Sequence, residues 1–136
     1  METLMTNPYV LVVDDDLSTR MLVSDALMVF GQSSRRARNG QEALELIREE
    51  MPAAIILDLM MPEMTGFSFL ATLTRELGGK TIPVIILSAL GDQVKGVDAL
   101  PGVVGFMCKG SFSMTGFGEL LTKAGLATEQ KTVVAA

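Results

Sequence analysis

Apolar residues fall along this chain in two patterns. Short dense runs occur at 9–13 (YVLVV), 53–57 (AAIIL), 83–87 (PVIIL) and 103–107 (VVGFM). Runs of that length, rich in β-branched residues and closed by acids, serine or lysine, predict strands buried on both faces, as in a parallel sheet. A fifth, polar stretch, QSSRRAR (32–38), predicts an edge strand. Its charges, Arg35, Arg36 and Arg38, block self-pairing of an open edge.

Between the runs the apolar spacing turns helical. Leu22, Val23, Ala26, Leu27 and Phe30 predict one helix, stopped by Gly31. Asn39 and Glu42 stand at capping-box spacing and open a second. Phe67, Leu70, Leu73 and Leu77 predict a third, closed by Gly78 and Gly79, and SFSMTGFGELLTKAG (111–125) predicts another despite Gly116 and Gly118. From Ser88 to Gly102 the pattern supports only a short helix, broken by Gly96 and ended before Pro101. The alternation predicts an α/β doubly wound domain, with helices on both faces of a five-stranded parallel sheet. Its bounds are 8–125, and residues 126–136 are expected to be a disordered tail.

Composition narrows the chemistry. A chain of 136 residues, 49% of them apolar, fits one core. The net charge is −5, with no basic tract, which argues against direct nucleic-acid binding. There is no histidine, so imidazole catalysis, imidazole metal ligands and a phosphohistidine donor are all excluded. The single cysteine, Cys108, forms no intrachain disulfide, and a buried, inert thiol is expected. No secretory or membrane-spanning run appears, and a cytoplasmic location is expected.

The polar residues then fall into one place. In open α/β sheets, ligands bind beyond the carboxyl ends of the strands. Those ends carry Asp14, Asp15 and Asp16 (first strand), Asp58 (third), Ser88 (fourth) and Lys109 (fifth). Crowded carboxylates repel unless a cation intervenes. Oxygen-only ligands favour Mg²⁺, Ca²⁺ or Mn²⁺ over zinc. Lys109 suits a phosphoryl oxygen, Ser88 offers a hydroxyl, and an aspartate carboxylate is itself a nucleophile for phosphoryl transfer. Part of the acidic run also suits a helix N-cap, with Asp16 or Ser18 in that role. The ten methionines are spread over the whole chain and read as packing, not as a soft-metal site.

VLVVDDD, LDLMMPEMTG, VIILSA and GFMCKG, in that order, resemble the receiver domain of a two-component response regulator, over roughly residues 8 to 125. The resemblance implies the flavodoxin-like sheet order 2-1-3-4-5. It implies Asp58 as phosphoacceptor. Asp14 and Asp15 would place Mg²⁺, with Asp58 and the backbone carbonyl of Met60 as further ligands. Ser88 would be the switch hydroxyl, Lys109 the phosphoryl-binding lysine and Phe106 the aromatic switch position. Pro62 and Gly66 would shape the loop after the acceptor. The implied partners are a histidine kinase or phosphotransfer protein and an unknown output protein. A homodimer is left open, and neither nucleic acid nor membrane is a partner. Such a domain is no enzyme beyond promoting its own phosphorylation and dephosphorylation. With no room for an output domain after residue 125, the expected form is stand-alone; the alternative is the receiver portion of a longer protein.

Three departures stand out. Gly110 follows Lys109 where the family has proline. Phe106 replaces tyrosine, and burial of a ring without a hydroxyl predicts an inward or mixed position even before phosphorylation. The glycine-rich segment Gly91–Gly102 replaces the usual fourth helix, so partner selection is expected to rest on it as a mobile element. Two rival readings are weaker. A haloacid-dehalogenase-type phosphatase using Asp14 would need a downstream acidic pair, whereas only Glu119 and Glu129 follow Lys109. A pseudo-receiver that binds partners without phosphorylation would not need the full set of acceptor-site residue types.

Overall fold

Each apolar run becomes a strand: β1 (Tyr9–Val13), β3 (Ala54–Leu57), β4 (Val84–Ser88) and β5 (Val103–Cys108), with the polar β2 (Ser33–Ala37) at one edge. The chain is described here from a computed structural model, over residues 8–90 and 96–128. All pairings are parallel, as the sequence pattern predicts, and the order is β2-β1-β3-β4-β5, as the resemblance implies. Parallel neighbours need crossovers, and helices α1 (Leu17–Val29), α2 (Gly40–Glu49) and α3 (Gly66–Glu76) supply the first three, while α4 (Met114–Lys123) follows the last strand and covers the sheet.

The central strands bury alternate residues in two cores. Leu11, Val13, Ile55, Leu57, Val84 and Ile86 pack under α2 and α3. Val10, Val12, Ile56, Ile85 and Leu87 pack under α1 and α4. This explains why both faces of these strands had to be apolar. β2 carries its arginines outward as expected. Arg35 lies over the Tyr9 ring and pairs with Glu50, and Arg38 pairs with Glu42. The capping box is offset by one residue. Asn39 accepts from Glu42 N–H at 2.8 Å, but the Glu42 carboxylate reaches back to Arg38 N–H, not to Asn39.

Two helix faces differ from expectation. Leu22 is exposed, because the buried arc of α1 is Val23, Ala26 and Leu27 and Leu22 lies about 40° beyond its Ala26 edge. In α3 the buried arc is Gly66, Phe69, Leu70 and Leu73, the i, i+3, i+4, i+7 positions. Phe67 is therefore exposed and Phe69 fully buried, whereas Leu70 and Leu73 are buried and Leu77 packs against the core as predicted.

Between β4 and β5 the described residues contain one three-residue 3₁₀ turn, Val97–Ala99, and no α-helix. Residues 91–95 of the expected mobile segment lie outside the described residues. β5 carries an extra residue, because Val84 opposes Val103 while Ile85 opposes Gly105. None of its residues is fully buried. Phe106 stands outward at 44% exposure, which corrects the inward alternative of an expectation that also allowed a mixed position. On the adjacent β4, Ser88 is buried with its hydroxyl accepting from Leu90 N–H. Cys108 is half-buried, not enclosed, with its thiol 3.9 Å from the Ala89 carbonyl.

At the C-terminal end, Leu126 packs against the second core and the Ala127 carbonyl accepts from Gln32. These residues had been assigned to the tail. Residues 129–136 lie outside the described residues.

Gly66 shows how tightly the loop after β3 is folded back. A Cβ there would stand 2.7 Å from Leu59 Cα and 2.8 Å from the Asp58 carbonyl oxygen. Both neighbours are backbone and cannot rotate away. Gly66→Ala is expected to lower stability by about 2–3 kcal/mol, an overpacking cost at a site that cannot relax. Urea denaturation measures it, and an unchanged midpoint would mean the loop yields.

Candidate functional site

Among the described residues, the buried polar side chains are Asp14, Asp58 and Ser88, at 2%, 3% and 2% exposure. All three stand at carboxyl ends of adjacent strands. β1 delivers Asp14 because its in-register pairing with β3 puts Val13 opposite Leu57, and the next residue on each strand is an aspartate. Asp14 N–H donates to Ala37 and Asp58 N–H to Val13, which extends the ladder one step past the strands and fixes both Cα positions.

Burying two carboxylates requires donors, and each oxygen has one. Asp14 Oδ1 accepts from Asp16 N–H at 2.9 Å and Oδ2 from Lys109 Nζ at 2.8 Å. Asp58 Oδ1 accepts from Met60 N–H at 3.1 Å and Oδ2 from the same Lys109 Nζ at 3.2 Å. One ammonium thus bridges two buried carboxylates. The exposed Asp15 joins them: one carboxylate oxygen from each of Asp14, Asp15 and Asp58 lies within 4.8 Å of the others. Three negative charges face one positive charge.

The titration behaviour follows from this crowding. Burial pushes the Asp14 carboxyl above its ordinary range; the Lys109 hydrogen bond opposes this and the Asp58 charge adds to it. Burial works against the Lys109 charge, but Asp14 and Asp58 outweigh it and raise the ammonium's pKa. Asp16 takes no part in the cluster. It is the N-cap of α1, accepting from Thr19 N–H and Thr19 Oγ1, and these bonds hold its carboxyl below the usual range.

Met60 stands two residues after Asp58 with its side chain in solvent, between the buried Leu59 and Met61. The loop then turns sharply. Met64 N–H donates to the Pro62 carbonyl across Glu63, a non-glycine residue at φ 69°. Lys109 enters from a 3₁₀ turn, Lys109–Ser111, directly after β5. Phe106, two residues before Cys108, remains outside the cluster on the solvent side.

One contact had no counterpart in the sequence reading. The Arg20 guanidinium donates from Nη1 to the Asp14 backbone carbonyl at 2.7 Å. Its spacing from Asp16, one helical turn, was the available signal. Only the phase of α1 against the β1 end shows that the side chain reaches back.

The family model described as the response regulator receiver domain matches residues 10–113. This chain belongs to that family. The receiver domain is 37% identical, over 92 residues, to the probable transcriptional regulator ycf27 of Porphyra purpurea, a match covering 65% of this chain and 37% of that protein. It therefore spans well under half the length of the curated relatives it matches. Among solved structures it is similar to the chemotaxis protein CheY4 of Vibrio cholerae, with TM-score 0.76 and 29% identity, covering 88% of this chain and 99% of that one. It is also similar to the response regulator TrrA of Thermotoga maritima, solved in complex with Mg²⁺ and BeF, with TM-score 0.74 and 25% identity, covering 86% and 98%. Receiver domains are signalling domains. No described helix is long and apolar enough to cross a membrane.

Proposed function

We propose that this receiver takes a phosphoryl group onto Asp58 from a histidine kinase or phosphotransfer protein, and that the modified state changes affinity for an output partner. The observation that carries this reading is the single Lys109 ammonium shared by two buried carboxylates, with a third carboxylate at their open side. An Asp58 oxygen attacks phosphorus and forms the new P–O bond. The donor's P–N bond breaks and its imidazole takes up a proton. The chain has no histidine, so the imidazole belongs to the partner.

The donor set fits Mg²⁺: oxygen ligands only, a local excess of negative charge, and an open side for water and phosphate. Asp14, Asp15, Asp58 and the Met60 carbonyl are the residues that would hold it. Bound there, the cation supplies charge neutralisation on the phosphoryl oxygens. The chain's own part is distinct. Lys109 is placed to leave the Asp58 carboxylate for a phosphoryl oxygen on it, and Ser88 to turn its hydroxyl from Leu90 N–H toward the same group. Phe106, outward in this state, would then have room to move in. A cytoplasmic location accords with this reading, as does a chemistry limited to the domain's own phosphorylation and dephosphorylation.

The test is intact mass after acetyl phosphate, with Mg²⁺ and with EDTA, followed by mapping of the modified peptide. A phosphoryl mass on Asp58 that needs Mg²⁺ is the expected result. Modification of Asp14, or none, would overturn the assignment.

A further inference from the structure

The cluster's three carboxylates are not held alike. Asp14 and Asp58 each have a donor on both oxygens, whereas Asp15 is exposed and its carboxylate has no hydrogen bond among the described residues. Its direction is therefore set by the backbone. The peptide unit joining Asp14 to Asp15 is planar, so pinning its carbonyl oxygen and its Asp14 end fixes where the Asp15 Cα stands, and the Asp16 N–H bond to Asp14 Oδ1 restrains the rotation that aims its Cβ. Asp14 N–H, bonded to Ala37, anchors one side. The half-buried Arg20, from the first turn of α1, satisfies the carbonyl at 2.7 Å. The helix that carries Arg20 is itself tied to the same turn: Arg20 N–H donates to the Asp16 carbonyl, and Asp16 caps Thr19.

We infer that Arg20 is a positioning residue for the cation site: by holding the Asp14–Asp15 peptide, it aims the Asp15 carboxylate at the oxygens of Asp14 and Asp58. The inference rests on the reading of that cluster as a Mg²⁺ site. A guanidinium beside an acidic cluster has a second, opposite effect, since its charge competes with a dication. The two roles differ in sign. Loss of positioning weakens Mg²⁺ binding, whereas loss of a competing charge tightens it.

The experiment measures Mg²⁺ affinity by titration for the wild type, Arg20→Ala and Arg20→Lys, with thermal unfolding of each in EDTA. Removing a residue that orients a metal ligand weakens binding by about tenfold, and that is the expectation for Arg20→Ala. Arg20→Lys, whose ammonium still donates to one carbonyl, should retain most of the affinity. Unchanged or tighter binding in Arg20→Ala overturns the inference. So does equal weakening in both variants with parallel loss of thermal stability, which marks general support of the fold. Amide exchange in the metal-free proteins gives a second readout: Asp16 N–H, bonded to Asp14 Oδ1 across the same turn, should exchange faster in Arg20→Ala. If the wild type binds no Mg²⁺, the metal reading itself has failed. An unchanged Asp16 exchange rate would then overturn the role of Arg20 in holding the turn.

Discussion

Asp58→Asn is expected to abolish phosphorylation while leaving the metal-free protein as stable as the wild type or more so. The amide cannot act as the nucleophile, so the phosphoryl mass should vanish entirely. Its oxygen can still accept from Met60 N–H, which keeps one of the two bonds of the native side chain. The electrostatic balance favours the variant. With cluster oxygens within 4.8 Å, each like-charge pair costs about 3 kcal/mol at an effective dielectric near 20. The substitution removes two repulsions, with Asp14 and Asp15, against one attraction, to Lys109. Solvent screens the exposed Asp15, so the net gain is about 1 kcal/mol. Urea denaturation in EDTA measures it. In Mg²⁺ the order should reverse, because the wild type gains more from the cation. A variant that still gains a phosphoryl mass would overturn the acceptor assignment, and a large loss of metal-free stability would overturn the electrostatic account.

Lys109→Met should destabilise the metal-free protein by up to about 3 kcal/mol near neutral pH, because two buried carboxylates lose their shared cation. The deficit should shrink as pH falls. Folded wild-type protein already holds the Asp14 proton to higher pH than the unfolded chain does. A carboxyl raised in this way favours folding below its folded pKa, and that contribution declines as pH rises from the ordinary carboxylate value through the raised one. Lys109 lowers the Asp14 pKa, so its removal raises it further and widens the window. Stability of the variant should therefore be closer to wild type at pH 5 than at pH 8. Mg²⁺ supplies the missing positive charge, so it should stabilise Lys109→Met more than wild type. Thermal unfolding across pH, with and without Mg²⁺, reads both effects. Equal stability of the two proteins at pH 8 would show that solvent, not Lys109, compensates the buried charges.

The strands, their parallel packing and the rim on which Asp14, Asp58, Ser88 and Lys109 meet are legible in the order of the residues. Those features are written in one dimension: short, dense, β-branched apolar runs suit the strands of a covered parallel sheet, and parallel strands bring their carboxyl ends together. The sequence also marked the N-caps Asp16 and Asn39, since capping depends on residues three apart. The tertiary structure decided what depends on helix phase and on neighbours far along the chain. It buried Phe69 in place of Phe67, because the start of α3 at Gly66 sets which arc faces the sheet. It left Phe106 outward and Ser88 buried on the adjacent strand. It gave Lys109 to two carboxylates at once, and it turned Arg20 back onto the Asp14 carbonyl. A side chain several bonds long reaches a partner only when two elements are packed at a particular distance and rotation, and no local pattern encodes either.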